Sequence, residues 1–481
     1  VNFGSSVLKA EAAGAVRPRA AIVLGGAILL LWPTALNWHP YLFWDTYGYF
    51  LQGKAYMTLL LAWSGIGPVP PEAMAGWIGA AGRMLESDAS IRSPTWSLVT
   101  YGLAATGGFW LLALVNATLA AAVLELALVR LFGVPARRRL LLLAVLAAAS
   151  SLPWFASFLM PDLYAGLLVL AAATLAFGRP QRRERQALVA LYLAALTFHP
   201  SHLLLGAGLA ALAAAWPAAL RERRRRLAWL GAPVPAAAML LLVCGWVGFG
   251  EASLTPRGPP FLLARVWEDG PARAYLAAAC PHDGWAICGE LDRLAPTAQE
   301  FLWREQDSYW TMTPAIRAAV RAEETAILVR AVAADPLGQL HASLANAATQ
   351  LGRFGLDDFV LGRGAEVTSD DYTFVYLPRA PAAVWGLGGF SAAIYAVTAL
   401  ALLATLLACR YGGRSRQGCA AALFVLAALV LNAAICGALS GPHPRYQSRV
   451  VWLLPLLAGG LLLGAAPAVS RPRGALAPAG S

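Results

Sequence analysis

The stretch RPQRRERQALVALYLAALTFHPSHLLLGAGLAALAAAWPAALRERRRR, residues 179–226, decides how the rest of the chain is read. It starts with Arg179, Arg182, Arg183 and Arg185 and closes on Arg221 and Arg223–Arg226. Between these clusters lie two apolar runs, 187–199 and 203–220, which meet at the tight hairpin His199–His202. Arginine clusters between apolar runs mark loops kept on the cytoplasmic side of a membrane. A crossing takes roughly 20 apolar residues. The second run is close to that length, and the first is short with a weak boundary. The stretch therefore reads as two antiparallel spans, with both arginine clusters inside and the histidines outside.

Worked outward, the pattern recurs. Runs at about 19–37, 108–130, 140–158, 162–178, 187–199, 203–220, 227–248, 383–409, 418–439 and 448–467 read as spans. With the N-terminus inside, the inner segments carry 21 of the 37 basic residues but only three acids, Glu11, Glu184 and Glu222. The spans and the other side hold 16 basic residues and 23 acids. The bias alternates correctly at every loop. The sequence thus predicts an all-α polytopic membrane protein with about ten transmembrane helices and both termini cytoplasmic, and 35 arginines against two lysines, with abundant alanine, suggest a bacterial source and so a bacterial inner membrane. The first run follows Arg17 and Arg19 without a clear cleavage site, so it reads as a retained span. Thr95–Phe132 is too long for one untilted span, and its first part is expected to lie as a helix at the outer surface.

Three regions follow. Residues 1–248 hold spans 1–7 and an outer loop, 38–107, with an amphipathic stretch at Pro71–Leu85 expected at the interface. Residues 249–382 are rich in charge, Pro and Gly and are expected to form a mostly helical periplasmic domain. Residues 383–481 hold spans 8–10.

Composition agrees. The chain is 59% hydrophobic and 13% charged, against about 25% charged in soluble domains. A net charge of +11 invites a nucleic-acid partner, but its clustering between apolar runs argues for a membrane instead. Of six cysteines, Cys244, Cys409, Cys419 and Cys436 lie in or beside apolar runs and read as small hydrophobes. Cys280 and Cys288 flank a polar heptapeptide in the outer region, where a disulfide is expected. A zinc site with nearby His282 competes, but no second ligand pair follows at zinc-finger spacing.

Charged groups near a membrane are costly to bury and so point to function. Those outside the inner loops converge on the outer face. Asp45 stands in Tyr41-Leu-Phe-Trp-Asp-Thr-Tyr-Gly-Tyr49, just after the first span. There it suits a general base acting on a hydroxyl, or equally a helix N-cap. Arg92, before Ser93-Pro94, can hold a phosphate or sit among headgroups. Asp162, at the tip of the hairpin Ser151–Asp162, can cap the fourth span, orient a substrate or hold a metal. His199 and His202 can contact a phosphate or bind a metal, or be structural, and the pair lacks further ligands for zinc. Arg445 and Arg449, in Gly441-Pro-His-Pro-Arg-Tyr-Gln-Ser-Arg449, are four apart and share a helix face outside, against the positive-inside bias. A phosphate or lipid headgroups would compensate them. Glu125, inside the second span, can pair with an arginine, line a cavity or relay protons.

In their order and shared side, Trp44-Asp45-Thr46-Tyr47, Arg92-Ser93-Pro94, Pro161-Asp162 and Arg445-Tyr446 resemble the GT-C superfamily of membrane glycosyltransferases. That group includes the protein O-mannosyltransferases and the bacterial aminoarabinose and lipid-linked sugar transferases. The resemblance covers most of residues 20–250 by layout, with one motif near the end. It implies a polyprenyl-phosphate-linked sugar as donor (undecaprenyl phosphate in a bacterial envelope) and a lipid, glycan or protein acceptor. It also implies Asp45 as base, inversion at the anomeric carbon, and substrate or phosphate contacts from Tyr47, Arg92, Asp162, His199, His202, Arg445, Tyr446 and Arg449. Many relatives carry a second acid beside the first, whereas Thr46 follows Asp45 here. That departure favours a single base and no required cofactor, with a divalent metal left open. Segment 249–382 matches no module of the family.

Three other functions fit parts of the sequence. A transporter or flippase would use Glu125, Asp162 and the histidines as a coupling path, but no internal repeat of fixed period is visible. A glycan ligase or polymerase would use a lipid-diphosphate donor. A scaffold would use 249–382 for protein contacts. No Gly-rich phosphate loop of P-loop or dinucleotide type occurs.

Overall fold

The computed structural model describes residues 19–37, 39–64, 92–256, 258–359, 366–369, 372–375, 387–411 and 416–464. The amphipathic stretch Pro71–Leu85 lies outside the described residues. Apart from a two-stranded antiparallel hairpin, Glu366–Ser369 with Tyr372–Val375, the described elements are helical. Five helices are long and apolar enough to cross a membrane: Pro94–Phe132, Leu220–Phe249, Leu387–Tyr411, Arg416–Leu439 and Pro444–Leu463. Arg19–Leu30, Leu163–Phe177 and Pro200–Ala215 are apolar but shorter. The described part of each of the ten apolar runs falls on a helix, yet among the described residues only these five are long and apolar enough to cross. The long helices leave Leu240, Val243, Trp246, Leu400, Leu403, Leu407, Leu423 and Val430 exposed. So large an apolar surface fits a lipid environment and not water.

Local chemistry sets the boundaries. Ser93 caps Pro94–Phe132, its hydroxyl accepting from the Trp96 N–H at 3.4 Å, and Pro94 takes the first-turn position where no N–H is needed. Gly107 and Gly108 break the helix in the middle, and Gly108 has φ +70°, which favours glycine. The bend separates 94–106 from the apolar run 109–132, close to where the sequence divides surface helix from span. Run 140–158 is interrupted: Ala136–Ala149 stops at Ser150, and the buried Leu152–Ser157 follows. The weak fifth run is longer than its apolar core. Arg182–Phe198 starts at a capping box in which Gln181 and Glu184 satisfy each other's backbone N–H groups. In Leu220–Phe249, a π turn at Leu227–Gly231 precedes Pro233, with the Ala232 N–H reaching back to the Leu227 carbonyl at 3.0 Å.

The segment between Phe261 and Ala334 carries its own core of Leu263, Trp267, Leu276, Phe301, Tyr309 and Ile327. The Cys280–Cys288 disulfide staples Pro271–Asp283 to the short helix at Ala286–Arg293. From this unit Pro336–Gly352 descends beside Arg416–Leu439, and the backbone at Asn346 packs against Gly437 so closely that any side chain there would clash. Residues 353–359 then enter the bundle: Phe354 stacks on Tyr395 at 4.1 Å, and Phe359 packs on Phe155 and Phe158.

Charged groups gather at two opposite ends of the bundle. At one end Glu125, 3% exposed, pairs with Arg139 and Arg19, and Glu184 pairs with Arg19 at 2.9 Å and bidentately with Arg130 at 2.8 Å. Arg182–Phe198 starts in this knot and ends at His199. Its 17 residues span about 25 Å at roughly 1.5 Å per residue. The second cluster lies at that far end.

Candidate active site

Asp45 begins Trp44–Ser64, and its Oδ1 accepts from the Arg92 Nη2 at 2.5 Å. Gln52, on the same helix face, grips the Arg92 backbone from both sides, donating to its carbonyl at 2.5 Å and accepting from its N–H at 2.9 Å. Ser93 and Thr95 donate to the Thr197 carbonyl at 2.6 and 2.9 Å, which ties this unit to the histidine hairpin. The loop before Asp45 is fixed to the Ser151–Asp162 hairpin. Tyr41 forms a parallel bridge with Phe158, through its N–H to the Ser157 carbonyl at 2.8 Å and the Leu159 N–H to its own carbonyl at 2.9 Å.

Asp162 is 4% exposed and faces both late arginines, with Arg449 at 3.5 Å and Arg445 at 3.9 Å. The four-residue spacing thus places both guanidiniums on one carboxylate. Arg445 lies over the Phe43 ring at 4.5 Å, and Tyr446 lies beneath both guanidiniums at 5.4 and 5.5 Å. Arg449 Nη2 also reaches Ser201 Oγ and Asn432 Oδ1, both at 3.1 Å, and Cys436 Sγ at 3.2 Å. Arg445 Nη1, Arg449 Nε, Arg92 Nε and His202 Nε2 are buried without a hydrogen-bond partner.

The two histidines have opposite polarity. His199 caps Pro200–Ala215, and its Nδ1 accepts from the Ser201 N–H at 3.2 Å, so in the neutral ring Nε2 carries the proton and can donate. His202 is fully buried and places Nδ1 3.0 Å from the Ala195 carbonyl, which only accepts. Its neutral Nε2 is therefore an acceptor. A phosphate oxygen can take a hydrogen bond from His199, but not from neutral His202.

Of the sequence-derived residues, Asp45, Arg92, Asp162, His199, His202, Arg445, Tyr446 and Arg449 share this end of the bundle. Tyr47 packs in a satellite cluster with Phe50, Ala104 and Tyr101. The phenol that feels Asp45, Arg92, Asp162 and Arg445 together is Tyr49. Burial, and then the Asp45 charge, push its hydroxyl far above the ordinary value, so it stays a neutral donor. The sequence held only a faint signal of it: Tyr49 is four residues after Asp45 on one helix face, but is one ring among several there. Asp358 and Asn432 had no such signal. Asp358 Oδ2 accepts the Arg445 N–H at 2.8 Å, in the first turn of the last helix, where a carboxylate is favoured. Cys436, read as a small hydrophobe, contacts a guanidinium. Glu125 lies in the knot at the opposite end.

The arrangement is graded. The Asp45 and Arg92 side chains are 28% and 20% exposed, while Asp162 and Arg449 lie beneath them at 5% and 1%. A carboxylate at the mouth can take a proton, and guanidinium donors behind it can hold an oxyanion. Among the described residues, no group of three or more His, Cys, Asp or Glu is placed to hold a metal ion. No protein-family model, no curated protein and no solved structure matches this chain.

Proposed function

We propose that this chain is an integral membrane glycosyltransferase that moves a sugar from a polyprenyl-phosphate donor to an acceptor hydroxyl at the periplasmic face. One observation carries the reading: a partly exposed carboxylate, Asp45, shares a site with two late arginines whose Arg445 Nη1 and Arg449 Nε donors are buried and unmet. The reading takes the five long helices, with the shorter or interrupted ones at 19–36, 136–157, 163–177, 182–198 and 200–215, as ten crossings. Both termini are then cytoplasmic, and the Glu125–Glu184 knot is the inner end.

In this mechanism Asp45 takes the proton from the acceptor hydroxyl as its oxygen attacks the anomeric carbon. The bond from that carbon to the phosphate oxygen breaks on the opposite face, so configuration inverts. The departing oxygen keeps the electron pair, and Arg445, Arg449 and the His199 Nε2–H stabilise its charge. Arg92 holds one oxygen of Asp45, which leaves Oδ2 for the acceptor. The donor needs no nucleotide-binding fold.

The test is transfer from radiolabelled polyprenyl-phosphate sugars to a membrane-lipid extract, using purified protein in lipid. Asp45→Ala should fold and lose on the order of a hundredfold or more in rate. Near-normal turnover by Asp45→Asn would remove the base assignment. Movement of a lipid-linked substrate, with no product from any donor, would replace the transferase with a flippase. The coupling path of a transporter is less well supported, because Glu125 is neutralised by Arg19 and Arg139.

A further inference from the structure

A cavity of about 290 Å³ lies between the outer helical unit and the loop Ser440–Tyr446. Its size is near the lower end of the roughly 300–1,000 Å³ of small-molecule sites. One wall is aromatic: Phe261 and Trp303 line it and are 43% and 39% exposed. Trp303 is held from behind, stacked on Trp310 at 5.8 Å, and Arg317 lies over Trp310 at 5.1 Å. A braced indole with an open face is a rigid platform. The same two helices, Phe261–Asp269 and Ala298–Trp303, also line it with polar groups. Arg265 and the Ala298 N–H fix Oε2 of Glu268 at 3.0 and 2.8 Å, which leaves Oε1 available, and Gln299 is beside it. Gly441, at φ +103°, lets the loop close onto Arg265, since a Cβ there would meet Nη1 at 2.6 Å. Tyr446 lines this cavity and also lies beneath Arg445 and Arg449, so it is the partition between cavity and charged site.

We infer that this cavity is a carbohydrate subsite that holds a sugar ring of the acceptor and presents its hydroxyl over Tyr446 toward Asp45. The inference rests on the transferase reading and narrows its acceptor to a glycan or glycan-bearing molecule. A pyranose has an apolar C–H face that suits an indole platform and an edge of hydroxyls that donate to a carboxylate and an amide. An acyl chain would leave Glu268 and Gln299 unmet.

The test measures binding, separately from transfer. Full-length protein in lipid nanodiscs is titrated calorimetrically with methyl glycosides of common hexoses, N-acetylhexosamines and pentoses, and with a pool of short peptides. At least one glycoside should bind. Trp303→Ala should weaken it by about tenfold or more, as expected for losing roughly 1.4 kcal/mol of contact, and Glu268→Gln should weaken it too. Trp303→Phe, which keeps a ring, should retain most of the affinity and serves as the folding control. Absence of glycoside binding, binding indifferent to Trp303→Ala, or binding of peptides alone would each overturn the subsite. The two readings fail separately. Glycoside binding without transfer from any donor removes the transferase and keeps the binding site. Transfer whose acceptor KM is unmoved by Trp303→Ala removes the subsite alone.

Discussion

Arg449 touches Asp162, Ser201, Asn432 and Cys436 from a position that is 1% exposed. Truncating one partner of a buried pair costs up to about 3–5 kcal/mol, and here Asp162 keeps Arg445 at 3.9 Å. Arg449→Met should therefore lower the unfolding midpoint strongly, and adding Asp162→Asn should recover part of the loss in a double-mutant cycle. Thermal unfolding in detergent reads both, and strict additivity would break the pairing. His199 offers a cleaner separation of structure from chemistry. Asn is a good N-cap, so His199→Asn should fold normally yet lose the Nε2 donor and slow transfer by roughly ten- to a thousandfold. Unchanged kcat would make the imidazole a cap alone. Tyr49 marks a limit of linear reading. Asp45 attracted attention because it is a lone acid in an aromatic segment, whereas Tyr49 is one ring among several until the fold places four charges around it.

Helices bring these residues together through close approaches that glycine permits. A Cβ on Gly166 would meet Trp452 Cζ2 at 2.5 Å and the Arg449 carbonyl at 2.8 Å. Gly166→Ala should force Pro444–Leu463 away from Leu163–Phe177 and carry Arg449 off Asp162. The expected result is folded protein with much reduced kcat, and normal turnover would show that the helices tolerate the shift. In the helical unit around Trp267, Cys280→Ser with Cys288→Ser removes a crosslink spanning a sequence separation of 8. The loss should be roughly 2–3 kcal/mol, seen as early melting of that unit by hydrogen exchange. Helix positions were legible in the sequence because apolar run length encodes them. So was the cysteine pair, by its polar setting. The strap at 353–359 was not: Asp358 and Arg445 meet across 87 residues, and no periodicity marks such a contact.

For the whole molecule, the Asp45–Arg449 site and the Glu125–Glu184 knot define an axis, and the proposed topology can be tested along it. Reporter fusions or thiol labels at 134, 180 and 218 should report cytoplasm, and those at 252 and 442 periplasm. One inversion among them would break the ten-crossing arrangement. The arginine bias encoded this axis in the sequence; the pairing within it was not encoded, because Glu184 serves Arg19 from 165 positions away. That distance has a consequence for biogenesis. Arg19 leaves the ribosome long before Glu125 and Glu184 are translated. On the proposed ten-crossing arrangement, the Arg19 guanidinium meets Glu125 when the second crossing inserts and Glu184 only with the fifth. The knot closes only when the fifth arrives, so the amino-terminal half of the bundle locks as one late event during synthesis.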